Sequence, residues 1–337
     1  MNKLKFAIFG TGYMAEVYAK LLIENPLSEL IGFVGNTSEK CKKISEKYSV
    51  NVYDSGRFAD FLKDFNVDVV IIATPEWIRL EPIIASVNFN KHIILEKPLA
   101  DNLKDSYRII NLFKDYTKII KTCHVLRYNP RFNALFEYLK NKSVGEIRHI
   151  SARRNSNNVR VRRVLGKTNL AYWLTPHDVD IIRRISCSSI ESVYVQSRGN
   201  INSLDDYIIA SLNFKNNISA KLEIFWCNPP LSPSSREFIF EVRGNKGLIE
   251  LNDFDNNINL FLENNYVSSK DTYEFFSIQN IHYGYFQIMI NNFISDIFNN
   301  KFDFELINEL EQNTLICEMI SRSIQEKKLI HITEFNR

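Results

Sequence analysis

The chain of 337 residues is long enough for two domains of ordinary size, each with its own hydrophobic core. Its content of 45% hydrophobic and 24% charged residues is typical of a soluble globular protein. A net charge of +3 is too small to indicate nucleic acid or an anionic membrane as a partner. No apolar run approaches the ~20 residues that a membrane span needs.

The cysteines indicate a reducing compartment. There are five, widely separated, and none forms a Cys-x-x-Cys pair. This pattern provides neither a disulfide framework nor a zinc site. The N-terminal apolar run is too short for a signal-peptide core, so we expect a cytoplasmic protein without a metal.

The first stretch predicts a strand, a glycine turn and a helix. Phe6–Phe9 is a short apolar run, as in a buried parallel strand, and Gly10-Thr11-Gly12 follows it directly. The helical face that comes next is marked by Met14, Val17 and Leu21.

This is a G-x-G-x-x-A motif in the context that a dinucleotide fingerprint requires. Gly10 permits the tight turn, Gly12 allows close approach of a pyrophosphate, and Ala15 lets helix and strand pack closely. The unpaired amides at the start of the helix suit a phosphate. The predicted cofactor contacts of this stretch are Gly10, Thr11, Gly12, Tyr13 and Met14.

Up to about residue 122, strands and helices alternate, which predicts a doubly wound parallel sheet. The predicted strands are Phe6–Phe9, Leu30–Val34, Val50–Tyr53, Val67–Ala73, His92–Leu95 and Ile119–Cys123. The predicted helices after the first are Ser38–Tyr48, Phe58–Phe65, Ile78–Asn88 and Leu103–Tyr116.

The pattern changes after Cys123, which predicts a second α+β domain with a large, mainly antiparallel sheet. Its predicted strands are Glu146–Asn155, Ile190–Ser197, Tyr207–Phe214, Ile218–Cys227, Phe238–Arg243 and Leu248–Leu251. Its predicted helices are Pro130–Asn141, His177–Ile185, Tyr285–Phe298 and Phe304–Lys327. We therefore divide the chain into a nucleotide-binding domain, 1–122, and a substrate-binding and oligomerisation domain, 123–337.

The end of the second strand leaves the choice of nicotinamide cofactor open. NAD-selective folds place a carboxylate there, whereas this chain has Gly35-Asn36-Thr37-Ser38, with Lys40 nearby. A 2′-phosphate would meet polar donors without repulsion, but the usual arginine partner is missing too. We expect NAD(P), with Asn36 and Thr37 contacting the ribose.

Lys97 follows the predicted parallel strand His92–Leu95, in the step Glu96-Lys97-Pro98. Ligands of open α/β sheets bind beyond the carboxyl ends of the strands, where Gly10–Gly12 and Thr74-Pro75 also lie. A lysine that loses water there has a lowered pKa and exchanges protons near neutrality. The alternative is a solvated lysine at a strand end.

These motifs together resemble the Gfo/Idh/MocA oxidoreductase family. The resemblance rests on Gly10–Ala15, Ala73-Thr74-Pro75, Glu96-Lys97-Pro98, Cys123–Pro130 and His177–Asp180, and it covers essentially the whole chain. It implies NAD(P)-dependent hydride transfer at a carbon of a sugar, a nucleotide sugar or a cyclitol such as inositol. It also implies a homodimer or homotetramer.

The resemblance implies individual roles as well. Lys97 matches the catalytic lysine, and His177 the histidine near the reacting hydroxyl; a buried structural histidine is the alternative. The remaining implied cofactor contacts are Thr74, Pro75, Trp77, Glu96, Lys97 and Arg127. The implied substrate contacts are Lys97, His124, Arg154, Trp173 and His177, and for His124 and Arg127 a structural role is equally open.

Two features bear on the chemistry. Many family members carry an aspartate four residues before the histidine, where this chain has Trp173, so more of the acid–base role falls on Lys97. An arginine-rich stretch, 153–167, would suit a diphosphate or carboxylate, or it forms a solvated loop or a subunit contact. The alternative functions are a carbonyl or imine reductase and a cofactor-bound sensor without turnover.

Overall fold

The computed structural model describes residues 3–35, 37–54, 56–157, 168, 170–198, 207–228, 236–252, 259–262, 265–268, 276–278 and 281–335. The chain forms two compact units. Unit 1 comprises Met1–Val125 and Phe275–Glu311, and unit 2 comprises Leu126–Glu274 and Gln312–Arg337.

Unit 1 is built on a six-stranded parallel sheet. Its strands are β1 (Leu4–Phe9), β2 (Ser28–Val34), β3 (Asn51–Tyr53), β4 (Val69–Ile72), β5 (His92–Leu95) and β6 (Ile120–Thr122). They lie in the order β3-β2-β1-β4-β5-β6, which is the order of the doubly wound dinucleotide-binding fold. The predicted parallel sheet is therefore confirmed.

Helices connect these strands. They are α1 (Tyr13–Glu24), α2 (Ser38–Tyr48), α3 (Phe58–Asp64), α4 (Leu80–Asn88) and α5 (Leu103–Phe113). The helix predicted from Ile78 begins at Leu80, because a 3-10 turn over Glu76–Ile78 follows Pro75. Every residue of β4 is buried, as expected for a strand whose two faces are covered by helices.

Unit 1 also contains a helix from the C-terminal part of the chain, α9 (Tyr285–Phe298). Asn291 accepts a hydrogen bond from Asn25 (Nδ2–Oδ1 2.7 Å), and Asp296 pairs with Lys121 at 2.9 Å. The division predicted from the sequence, 1–122 and 123–337, thus differs from the structure. Residues 275–311 belong to unit 1, because α9 has its packing and hydrogen-bonding partners there.

Unit 2 contains a seven-stranded sheet in the order β12-β11-β7-β10-β9-β8-β17. Its strands are β7 (Ile147–Asn157), β8 (Ile190–Arg198), β9 (Tyr207–Phe214), β10 (Ser219–Asn228), β11 (Arg236–Gly244), β12 (Leu248–Asn252) and β17 (Ile330–His331). All neighbours are antiparallel except β7 and β10. This confirms a mainly antiparallel second sheet.

The helices of this unit are α6 (Pro130–Lys140), α7 (Leu170–Trp173), α8 (Thr175–Ser186) and the later part of α10 (Leu306–Glu326). One face of the sheet and these helices share a core that includes the fully buried Trp226, Phe240 and Ile320. Helix α8 begins at Thr175, two residues before the start predicted at His177, with Pro176 in its first turn.

Several short elements were not predicted, namely α7, β17, and the hairpins β13 (Asn259–Leu262) with β14 (Asn265–Ser268) and β15 (Phe276–Ile278) with β16 (Ile281–Tyr283). Among the residues that the structure describes, no helix has the length and apolar character needed to cross a membrane. Within the same ranges, no group of His, Cys, Asp and Glu is arranged to hold a metal ion.

Candidate functional site

The carboxyl ends of four strands of unit 1 lie at one level. Phe9 of β1 is opposite Ile72 of β4, Ile72 is opposite Leu95 of β5, and Leu95 is opposite Thr122 of β6. The next backbone amides continue these hydrogen bonds at 2.8–3.0 Å. The glycine turn, Thr74, Glu96 and Cys123 therefore follow neighbouring strand ends, at the edge where ligands of this fold bind.

The glycine turn after β1 has the geometry of a dinucleotide cradle. Gly10 has φ +128°, and a Cβ there would lie 2.5 Å from the carbonyl oxygen of Ala73. Gly12 is exposed, and a Cβ there would meet no atom within 4 Å. Gly12 precedes α1 without a side-chain cap, so the first amides of the helix are available to a phosphate. These residues fit a dinucleotide.

The other predicted contacts of this turn surround it. Thr11 and Met14 are half-buried, and Tyr13 is 64% exposed. Thr37 is exposed, and its hydroxyl accepts a hydrogen bond from the Lys40 amide at 3.3 Å, capping α2. The predicted contact Asn36 lies outside the described residues.

The turn after β4 carries a buried hydroxyl that is available for hydrogen bonding. The side chain of Thr74 is 5% exposed, and its Oγ1 has no hydrogen-bond partner within the described part of the protein. A buried hydroxyl is normally hydrogen-bonded, so an unused one at this edge fits a bound ligand. Pro75 and Trp77 beside it are half-buried.

A buried arginine joins the turns after β4 and β5. Arg79 is 2% exposed, and its guanidinium donates to the carbonyl oxygens of Thr74 (2.6 Å), Glu96 (2.6 Å) and Pro98. Burial lowers the pKa of Arg79, and the nearby carboxylates of Glu76 and Glu96 oppose this shift. Arg79 thus fixes the backbone on both sides of Lys97, whose side chain is half-buried.

The Glu96 side chain contacts the buried Tyr18, which also contacts the buried Cys123. The Tyr18 hydroxyl lies 2.5 Å from Glu96 Oε1 and 3.0 Å from Cys123 Sγ. The pKa of Glu96 is raised, because burial outweighs the hydrogen bond from Tyr18 and the charges of Lys97 and Arg79, which lower it. His124, the next residue after Cys123, is also buried.

In unit 2, His177 lies in the first turn of α8 and is half-buried. The two aspartates that follow it in α8, Asp178 and Asp180, form buried ion pairs. Arg154 binds Asp178 through Nε (2.6 Å) and a terminal nitrogen (2.8 Å), and Arg127 binds Asp180 in the same bidentate way at 2.8 and 2.5 Å. Both aspartates are almost completely buried, so these pairs fix the start of α8.

These contacts give Arg127 and Arg154 structural partners that the sequence did not reveal. Asn313 also donates to Asp180 (3.1 Å), and the Arg154 guanidinium lies over the Phe238 ring at 4.5 Å. The cofactor contact predicted for Arg127 and the substrate contact predicted for Arg154 stay predictions.

The aromatic residues before α8 pack into the core of unit 2. Trp173 is half-buried and packs against Trp226, with ring centroids 5.6 Å apart. Arg153, from the arginine-rich stretch, pairs with Glu223 at 2.8 Å. The remaining basic residues of that stretch, Arg160, Arg162, Arg163 and Lys167, lie outside the described residues.

Sequence reasoning missed Tyr18, Arg79 and the role of Cys123. Tyr18 falls on the apolar face of α1, and a phenol there must find a buried partner, which is a usable signal. Nothing in the sequence around Arg79 distinguishes it from an exposed arginine.

Comparison with known proteins matches both halves of the chain to one family. Residues 4–124 match the oxidoreductase-family NAD-binding Rossmann fold of Gfo/Idh/MocA proteins, and residues 132–250 match the Gfo/Idh/MocA C-terminal domain. A myo-inositol 2-dehydrogenase from Thermotoga maritima is 27% identical over 197 residues, which are 57% of each chain. Across the curated relatives shown by this comparison, the alignment spans 43–69% of the relative's own length.

Solved structures share the whole fold. The crystal structure of a myo-inositol 2-dehydrogenase from Lactobacillus plantarum has a TM-score of 0.85 at 16% identity and covers 98% of this chain and 100% of its own. The scyllo-inositol dehydrogenase from Lactobacillus casei with bound NAD(H) and scyllo-inositol also has a TM-score of 0.85, at 14% identity, and covers 98% of this chain and 100% of its own. This chain belongs to the Gfo/Idh/MocA oxidoreductase family, and its N-terminal part is the family's NAD-binding Rossmann domain.

Proposed function

We propose that this protein transfers a hydride between NAD(P) and a hydroxyl-bearing carbon of a sugar or cyclitol, with Lys97 as the acid–base group. The observation that carries the proposal is the position of Lys97. It follows β5 at the same sheet edge as the glycine turn after β1 and the Thr74 turn after β4. A dinucleotide on this edge brings its reacting end to the strand ends beyond the glycine turn.

The chemistry requires one proton acceptor. A bound nicotinamide supplies the hydride acceptor. When the carbon loses its hydride, the hydroxyl oxygen must lose its proton, and the amine of Lys97 takes it directly or through a water molecule. Arg79 and Glu96 hold the turn that carries this lysine, so its direction is fixed before the substrate binds. His177, by family resemblance, orients the reacting oxygen.

The substrate is proposed to be an uncharged polyol. Several relatives at this level of similarity are named inositol dehydrogenases, and others are named for different substrates. The two arginines of the basic stretch that the structure describes, Arg153 and Arg154, already bind carboxylates. A substrate that presents only hydroxyl groups does not require them. A nucleotide sugar would instead need basic groups from residues 158–167.

The test compares the full-length protein with Lys97→Met. Both are assayed by the absorbance of the reduced nicotinamide, with NAD⁺ or NADP⁺ and with myo-inositol, scyllo-inositol, aldoses and a nucleotide sugar. General acid–base catalysis contributes roughly 10²–10⁴-fold, so the variant should lose about that much turnover. Its affinity for the cofactor, measured by fluorescence titration, should stay near that of the wild type. Lys63→Met, at an exposed lysine of α3, is the matched control.

Near-normal turnover of Lys97→Met would remove this lysine from the mechanism. Tight binding of the cofactor with no turnover on any substrate, in either direction, would favour a cofactor-bound sensor. The replacement of the family's aspartate by Trp173, which packs on Trp226, is the feature that keeps this second function in view. A preference for the reverse reaction would identify a carbonyl reductase of the same fold.

A further inference from the structure

Three buried side chains from different elements of unit 1 form a continuous hydrogen-bonded chain. Tyr18 comes from the buried face of α1, Glu96 follows β5 and Cys123 follows β6. The Tyr18 oxygen lies 2.5 Å from Glu96 Oε1 and 3.0 Å from Cys123 Sγ. None of the three side chains is more than 9% exposed, so water does not compete for these bonds.

The direction of the hydrogen bonds follows from the number of protons. A phenol has one proton, and Glu96 Oε1 is the better acceptor for it, because it lies closer than Cys123 Sγ and because sulfur is a weak acceptor. The Cys123 thiol therefore donates to the Tyr18 oxygen. Burial raises the pKa of both Tyr18 and Cys123 well above their ordinary values, so both keep their protons at neutral pH. The chain runs from thiol to phenol to carboxylate.

Glu96 is the point at which this chain meets the Lys97 turn. Its second oxygen accepts a hydrogen bond from the backbone amide of Lys97 at 3.2 Å, and its carbonyl oxygen is bound by Arg79. Among the described residues, the titratable and charged groups that act on the Glu96 carboxylate are Tyr18 from α1, Cys123 after β6, Arg79 before α4 and Lys97 on its own turn. Burial opposes the charge on Glu96, and the phenol is the largest of the groups that favour it.

We propose that Tyr18 is a positioning residue: by donating to Glu96 it keeps this side chain ionised and oriented, and so fixes the turn that presents Lys97. The inference rests on the proposed function in so far as Lys97 performs the acid–base step. Loss of the phenol oxygen removes a hydrogen bond that stabilises the ionised form of Glu96, so Glu96 binds a proton more readily. A protonated Glu96 no longer offers a charged acceptor to the Lys97 amide.

The first experiment does not need turnover. The carboxylic-acid band of Glu96 is followed by infrared spectroscopy as a function of pH in the wild type and in Tyr18→Phe, and Glu96→Gln assigns the band. The free energy of a hydrogen bond to a charged group is large enough that its loss should raise the proton affinity of Glu96 about 10- to 100-fold. The band should therefore appear at a pH about one to two units higher in Tyr18→Phe.

The matched control is Tyr116→Phe. The Tyr116 hydroxyl is also shielded in unit 1, but it donates to the backbone carbonyls of Ser86 and Lys91, at 3.2 and 2.6 Å. This variant loses a comparable hydrogen bond and should leave the Glu96 band where it is in the wild type. An unmoved band in Tyr18→Phe would overturn the proposal. If Tyr18→Phe does not fold, Cys123→Ala is measured instead. We expect a smaller shift of the band in the same direction, and the absence of a shift would overturn the proposal.

The second experiment is kinetic. In Tyr18→Phe the acidic limb of the kcat profile should move to higher pH by the same amount as the infrared band, with little change in KM. A purely structural role would lower stability without moving this limb, and that result would overturn the proposal. An inactive wild type would contradict the proposed function alone, because the infrared titration still decides the role of Tyr18.

Discussion

Removal of Arg154 is expected to destabilise unit 2 strongly. Its guanidinium binds both oxygens of Asp178, at 2.6 and 2.8 Å, and the Asp178 side chain is 0% exposed. Arg154→Met keeps much of the volume but leaves a buried carboxylate without its counter-ion. Loss of one partner of a buried ion pair costs about 3–5 kcal/mol. Loss of the guanidinium over the Phe238 ring adds about 0.5–1 kcal/mol.

The free energy of unfolding is measured by urea denaturation at neutral pH. Arg153→Met is the matched control, because the neighbouring Arg153 pairs with Glu223 through a side chain that is 42% exposed. An exposed pair of this kind contributes about 1 kcal/mol or less. The double variant Arg154→Met/Asp178→Asn should recover much of the lost stability, because the buried charge is removed with its partner.

The alternative for Arg154 is a contact with substrate. In that case Arg154→Met would change the free energy of unfolding no more than Arg153→Met does, and it would raise KM for the polyol. That result would refute the reasoning from the buried ion pair.

Two other predictions concern unit 1. Burial is the main cause that lowers the pKa of His92 from 6.5 to about 4, and its ring Nδ1 accepts a hydrogen bond from the Ile119 amide at 3.0 Å. The unfolded chain therefore binds more protons than the folded protein between these pH values, so the free energy of unfolding should fall as pH drops from 6.5 towards 4. His92→Asn should flatten the dependence of this free energy on pH, and an equal slope in the variant would rule out His92 as its cause. For the glycine turn, the free energy of unfolding of Gly12→Ala should lie within about 1 kcal/mol of the wild-type value, because the new Cβ meets no protein atom within 4 Å. The variant should bind NADH more weakly, because the Cβ would hinder the approach of the pyrophosphate to the turn. Gly10→Ala should lose more than about 1 kcal/mol, since φ is +128° and the Cβ would lie 2.5 Å from the Ala73 oxygen; unchanged NADH affinity in Gly12→Ala would contradict the close approach.

The sequence predicted the elements of unit 1 well because their signals are local. Alternating apolar runs and helical faces depend on near neighbours, and the helix Ser38–Tyr48 and the strand His92–Leu95 have the predicted bounds. The edge that carries Gly10 and Lys97 follows from the direction of parallel strands alone.

The partners of individual side chains could not be predicted in this way. Tyr18, Glu96 and Cys123 are far apart in the chain and meet only through the order of the strands. The aspartate partners of Arg127 and Arg154 belong to a helix more than 20 residues away, so the sequence did not indicate these ion pairs. The return of α9 to unit 1 was missed for the same reason, since an amphipathic pattern does not say which core a helix joins.

The position of α9 in unit 1 has a consequence for the folding of the chain during its synthesis on the ribosome. The six strands of unit 1 leave the ribosome about 160 residues before α9 does. During that interval the side of α1 that packs against Phe286 of α9 lacks its cover, and so does Lys121, the partner of Asp296. A fragment ending at Val125 would have the same defect permanently. An isolated nucleotide-binding unit should therefore be made by circular permutation or by tethering residues 281–311 to the fragment.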